Sequence, residues 1–221
     1  TALSEIGTIG GQLGVAAGNV ESFTKNVAMF SATTDATIEN TAMSFGRIDQ
    51  LANDGAGEFD KIASSIYEVG VSTVATESQI LKMSQELAAA GNMAGFTANE
   101  VIGLSGALAS LGVQPERARG SIERSFNFIT AAVDGGGEKL NTFAQVAGTS
   151  ADEFASAWRD RPQEAFMQLL QGMNSVTEQG GNFQQMLADL GMTGVRDLDV
   201  YRRLAANVEF VGQSMNISSD A

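Results

Sequence analysis

The sequence predicts an all-α fold, a multi-helix array of short helices joined by glycine turns. Three observations carry that expectation. Proline occurs only twice in 221 residues, so almost nothing in the chain forbids a helix interior. Apolar residues recur three and four apart instead of alternating, the period of a helix that buries one face. Between the apolar stripes the same punctuation returns: a glycine, an apolar or small residue, then a capping residue.

Taken in order, the stripes place helices near 3–13, 18–31, 35–52, 57–69, 77–91, 98–111, 115–133, 138–147, 151–159, 163–178, 182–190 and 195–212. Val20, Phe23, Val27 and Phe30 form one stripe, and Ile80, Met83, Leu87 and Ala90 another. Val101, Leu104, Leu108 and Leu111 come next, then Ala118, Ile122, Phe126, Ile129 and Val133, and later Phe166, Leu169, Leu170, Met173 and Val176. Each stripe is expected to face a neighbouring helix.

The stops between them are Gly70-Val71, Gly95-Phe96-Thr97, Gly112-Val113-Gln114-Pro115, Gly148-Thr149-Ser150 and Gly191-Met192-Thr193, with Gly14-Val15 a looser copy. Glycine reaches positive φ at low cost and closes a helix, and the apolar residue after it folds back on the last turn. Thr97 with Glu100, Ser150 with Glu153 and Thr76 with Gln79 fit the reciprocal capping box. Pro115 and Pro162 sit where a first helical position is expected. The run Asp134 to Glu138, DGGGE, is the clearest break. It divides an N-terminal helical bundle, 1–134, from a C-terminal helical part, 135–221, that packs on it.

The composition narrows function by exclusion. There is no cysteine and no histidine, so disulfides, thiol catalysis, Cys-type zinc sites and the commonest general base are absent together. No D-x-[DN]-x-[DN]-G loop is present to bind calcium. Gly135–Gly137 lack a following Lys-Ser/Thr, and Gly55 and Gly57 lack a third glycine and a preceding strand, so no phosphate loop is expected. The formal net charge is −13, which disfavours nucleic acid and anionic lipid as direct ligands. Residues 1–100 hold 4 basic against 12 acidic side chains and residues 101–221 hold 9 against 14, so the second part is the better suited to packing on partners. No run approaches the ~20 apolar residues of a membrane-spanning helix. A chain that starts at Thr1 is expected to be a fragment of a longer, mostly helical protein.

Several clusters have a plain reading beside a sharper one. Gly7, Gly11, Gly14 and Gly18 suit close helix approach and self-association, or simply a weak first helix with glycines at its turns. Asp152/Glu153 and Asp197/Asp199 are better placed as helix-start charges than as a hydrolytic pair. Methionine and phenylalanine fall mostly on the stripes, and Phe154 and Trp158 read as core. Arg196, Arg202 and Arg203, beside Asp197 and Asp199, read as a solvated face or as an intersubunit ion pair.

One resemblance joins these pieces. The order Leu87-Ala88-Ala89-Ala90, Gly95-Phe96-Thr97, Leu104 to Leu111, Gly112-Val113, Gly120, Ile122, Arg124 and Phe126 resembles the core of phage tail tape measure proteins, the minor tail protein family of siphophages. Gly11 to Ala42 resembles that family's earlier helix pair. "PQEAFMQLLQGM" and "LADLGMTGVRDLDVYRRLAANVEFV" resemble its closing helices. The chain departs from the pattern at Gly135–Gly137 and at Trp158 near "RDRP". The resemblance implies a structural protein, without cofactor or metal, that sets tail tube length during assembly. It implies residence in the tail lumen and tip of the virion after assembly in the host cytoplasm, and release at infection to assist DNA passage. It implies tail tube, distal tail and tail tip proteins as partners, and a homo-oligomer, with a trimer as one form. No specific nucleic acid binding is expected, nor membrane contact through this segment. The residues expected to matter are the turns and caps Gly14, Gly70, Gly95, Thr97, Gly112, Pro115, Gly148, Ser150 and Gly191. A generic helical scaffold or adhesin domain of a bacterial surface or signalling protein is the alternative. A peptidoglycan hydrolase is disfavoured, because no nucleophile–base pair is in view.

Overall fold

A computed structural model describes residues 2–51 and 57–221. Among them the chain forms α1 (Ala2–Gln12), a 3-10 turn (Ala17–Asn19), α2 (Val20–Thr33), α3 (Ile38–Leu51), α4 (Phe59–Ser72), α5 (Glu77–Ala94), α6 (Ala98–Ser110) and α7 (Pro115–Gly135). They continue as α8 (Gly137–Ala147), α9 (Ala151–Asp160), α10 (Pro162–Glu178), α11 (Phe183–Asp189), α12 (Val195–Ala206) and α13 (Val208–Asp220). Helix accounts for 83% and there is no strand among the described residues, so only short turns separate the elements and the all-α expectation holds. Residue 52, where the third expected helix ends, and Gly55 lie outside the described residues.

The helix starts arise from local chemistry. All three capping boxes form. Thr97 accepts from the Glu100 N–H at 3.3 Å while the Glu100 carboxylate accepts from the Thr97 N–H at 2.8 Å. Thr76 with Gln79 and Ser150 with Glu153 repeat the arrangement. Pro115 and Pro162 are the first residues of α7 and α10, where a missing N–H costs nothing.

The apolar faces assemble into two cores. The first gathers α1 to α4, with Phe23, Phe30, Phe45, Phe59 and Ile66 fully or almost fully buried. The second gathers α7 to α13 around Phe126, Phe154, Phe166 and Tyr201. Helices α5 and α6 serve both. Ile80, Leu81, Ala98 and Ile102 face the first core, and Met83, Leu87, Val101, Leu104 and Leu108 the second. Residues 101–108 of α6 are therefore buried all round, the signature of a central helix.

Four expectations need correction. Gly70 is not a stop, for α4 runs through it to Ser72. A Cβ there would lie 2.9 Å from the Glu77 side chain at the start of α5, so the glycine makes room for a neighbour instead of ending a helix. The third helix starts at Ile38 and not at 35, because Asp35 turns outward to the first turn of α5, accepting from the Ser78 N–H at 2.9 Å and the Ser78 hydroxyl at 2.6 Å. The last expected helix, 195–212, is two helices that meet at Asn207. At the DGGGE break the interruption is a single residue, Gly136, with α7 continuing to Gly135.

Candidate functional site

The helix-closing turns are where sequence and structure correspond most directly. At Gly95 the backbone takes φ +85, and the N–H of Phe96 reaches back to the Gly91 carbonyl at 2.9 Å. This is the six-residue closure that satisfies orphan carbonyls at a helix end. The same long bond forms after Gly14, Gly112, Gly148 and Gly191, from Val15, Val113, Thr149 and Met192. It also forms after Gly180, which the sequence pattern did not single out. Thr97 and Ser150 cap the next helices. After Gly191 the cap is Gly194 and not Thr193, so this helix starts without a side-chain cap.

The residue directly after the glycine is in most of these turns an anchor in the core. Val15, Phe96, Val113 and Met192 are all buried. Phe96 stacks on Phe126 with ring centres 4.9 Å apart, and meets Phe166 and Trp158 edge-on at 6.3 and 6.4 Å. Trp158 keeps its indole N–H satisfied by donating to the Thr130 hydroxyl at 3.0 Å. One turn residue thus ties α5 to α7, α9 and α10.

A polar seam runs between α7 and α12. Arg124 pairs with Asp197 at 2.5 Å, and the carboxylate is buried while the guanidinium is half exposed. The Asp197 hydrogen bond raises the Arg124 pKa above its ordinary value, against the opposing effect of burial. Glycines flank the pair, since a Cβ at Gly194 would lie 2.8 Å from the Asp197 carboxylate and one at Gly120 would lie 3.3 Å from the Arg124 guanidinium. Two residues on, Asp199 accepts from Arg117 at 2.9 Å and from Arg203 at 3.1 Å. Burial raises the Asp199 carboxyl, but these two arginines lower it further than burial lifts it. Arg203 also donates to the Leu111 carbonyl at 2.9 Å, at the end of α6. Inside the seam Tyr201 hydrogen-bonds Ser125, and full burial pushes its phenol above the usual range. The basic cluster of the sequence is therefore in part a set of ties within the chain. Arg203 pairs with Asp199, and Arg202 lies 5.8 Å above the Phe183 ring.

The surface carries several clefts. One of about 350 Å³ is lined by Phe128, Ala131, Phe143 and Leu190 with Lys139 at its rim. Among the described residues no three acidic side chains converge to hold a metal ion, and no helix is long and apolar enough to cross a membrane. Asp152 and Glu153 lie in the first turn of α9, where Glu153 closes its capping box. The Ser150 hydroxyl, then the Ser150 N–H, hold the Glu153 carboxyl below its ordinary value.

Compared with known protein families, residues 1–208 match the model of the phage-related minor tail protein family. The chain belongs to the phage-related minor tail protein family. No curated protein and no solved structure matches it. Family membership makes it a structural component of a virion tail, with other tail proteins as its partners.

In this minor tail protein, several positions escaped the sequence pattern. Gly103 and Gly106 of α6, Gly91 of α5 and Gly172 of α10 lie inside helices at close crossings. A Cβ at Gly172 would lie 1.6 Å from the Val146 carbonyl oxygen of α8, and one at Gly106 would lie 2.2 Å from Val69 of α4. The signal was present as glycine inside an otherwise helical pattern, which usually has a packing reason. In α1, Gly10 has that role against Phe23, whereas Gly11 has open space where a side chain would go.

Proposed function

We propose that this chain is the globular helical part of a tail tape measure protein. In that reading the parent protein sets tail tube length during assembly, occupies the tail lumen and tip, and leaves at infection to assist DNA passage. It assembles as a homo-oligomer with tail tube, distal tail and tip proteins, and this domain carries out no chemistry of its own. The observation that carries the reading is the family match across residues 1–208. The architecture supports it. Short helices closed by glycine turns, in a chain without cysteine to form a disulfide, open at low free-energy cost. The net charge of −13 keeps the domain from adhering to DNA that shares its channel.

The test is an in-frame deletion or duplication in the helical rod of the parent protein, with tail lengths read by electron microscopy. Lengths that change in proportion support the ruler, and unchanged lengths remove it. For the domain itself, a denaturation midpoint typical of a hyperstable protein would contradict easy opening.

A further inference from the structure

We propose that α13 is an exchangeable element, which two copies of this chain swap by straightening the junction at Asn207. The occupant of the groove on α4 and α6 is then the α13 of a second copy.

The junction is the first reason. Asn207 has φ −123 and ψ 30, and its N–H turns to the Leu204 carbonyl, at 3.2 Å, and to the Ala205 carbonyl instead of the Arg203 carbonyl. Its side-chain amide donates to the Arg203 carbonyl at 2.8 Å. That carbonyl is the one its own N–H would reach in an uninterrupted helix. The side chain substitutes for the missing helical bond and so holds the bend. Neither proline nor glycine interrupts the chain between Val195 and Phe210, so nothing in the covalent chain requires a break there.

The second reason is register. Asp197, Tyr201, Leu204, Val208, Val211, Met215 and Ser218 succeed one another in alternating four- and three-residue steps. All are buried except Val208, which is half-buried. One seam passes through the bend without a slip, as in a single continuous helix.

The third reason is the groove, whose close contacts and hydrogen bonds match this helix. A Cβ on Gly103 would lie 2.5 Å from the Met215 Cα. Ser214 donates to the Gly103 carbonyl at 2.7 Å and Ser218 to the Asn99 carbonyl at 2.5 Å, while Ser65 of α4 donates to the Ser218 carbonyl at 3.0 Å. A straightened α13 leaves a close-packed groove that must be refilled by a helix with the same serines. A second copy supplies it. Exchange then restores every α13 contact except those of the bend, which is why swapping is a low-cost route to association.

The test uses the full chain. After incubation at millimolar concentration the protein is separated by size with light scattering. The oligomer is then remade from a mixture of isotopically labelled and unlabelled chains, and the Gly103–Met215 proton contact is sought by isotope-filtered NMR. Exchange predicts an oligomer in which that contact lies between chains. It also predicts that Asn207→Leu raises the association constant about tenfold over Asn207→Gly, since helix propensity acts at both junctions. A chain that stays monomeric throughout, or an oligomer in which Gly103 and Met215 touch within one chain, overturns the proposal. The wild-type sample decides the matter even if Asn207→Leu fails to fold.

Discussion

Replacing Phe96 by alanine should cost far more than replacing the glycine before it, although Gly95 is the residue that makes the turn. The Gly95 Cβ would lie 3.6 Å from Pro162, an ordinary contact, so Gly95→Ala carries only the left-handed strain of about 1–2 kcal/mol. Phe96 is 1% exposed and contacts three other rings. Its removal leaves a cavity inside a rigid aromatic cluster, for which about 3–5 kcal/mol is expected. Of that, about 0.5–1.5 kcal/mol belongs to the stacked Phe126 partner and should emerge as coupling in a double-mutant cycle. Trp158 is the sole tryptophan and its ring centre lies 6.4 Å from that of Phe96, so its fluorescence reports on the affected core. In urea the midpoint should fall by roughly 1 M or more for Phe96→Ala and by clearly less for Gly95→Ala. Equal losses would refute the claim that the residue after the glycine, and not the turn itself, fastens α5 to the second core.

Other consequences can be measured in the same way. Gly103→Ala forces a Cβ against the α13 backbone and should cost about 1–3 kcal/mol, with faster amide exchange confined first to α13. Gly148→Ala meets nothing within 4 Å and should show only the strain of about 1–2 kcal/mol. Arg124→Ala leaves the Asp197 carboxylate, 3% exposed, without its cation. Because the guanidinium is half exposed the expected loss is about 2 kcal/mol, read by thermal unfolding, and Arg124→Lys should recover only part of it. The Glu153 carboxyl is held below its ordinary value by Ser150. Its contribution is complete above the unfolded-state value of about 4 and fades as pH falls through the folded value. The stability difference between wild type and Ser150→Ala should therefore be constant near neutrality and shrink on acidification. A difference that grows in acid would contradict the assigned direction.

The elements that could be read from sequence are those fixed by neighbours in the chain. The capping boxes at Thr76, Thr97 and Ser150, the prolines at Pro115 and Pro162 and the stops at Gly14, Gly95, Gly112, Gly148 and Gly191 all depend on residues within five positions of one another. Gly70 shows the limit of that logic. Its sequence context matches a stop, yet its role is set by Glu77 across a turn. Gly103, Gly106 and Gly172 were legible only as glycines inside helical stretches, without their partners, since each answers to a helix distant in sequence. The α7–α12 seam could be half read. Asp197, Asp199 and Arg203 stood out as a charged cluster, but the partners Arg117 and Arg124 lie 82 and 73 residues away. Nothing in a helical period specifies such pairings.

The two cores are not independent units, because they share α5 and α6, and α6 is buried on every side over residues 101–108. A helix that is apolar on every side has no stable existence outside its neighbours. Helix α6 therefore depends on the first core for Ala98 and Ile102 and on the second for Val101, Leu104 and Leu108. Loss of either core exposes part of the other, which couples them through α5 and α6 without any covalent lock. Helix α13 then occupies a particular place. It packs on α6 with serine hydroxyls bonded to backbone carbonyls. The fully buried apolar side chains of α13 are Val211 and Met215, whereas α4 contributes Phe59, Ile62, Ile66 and Val69 and α5 contributes still more. Departure of α13 therefore exposes less apolar surface than departure of α4 or α5, and opening of the domain should start there.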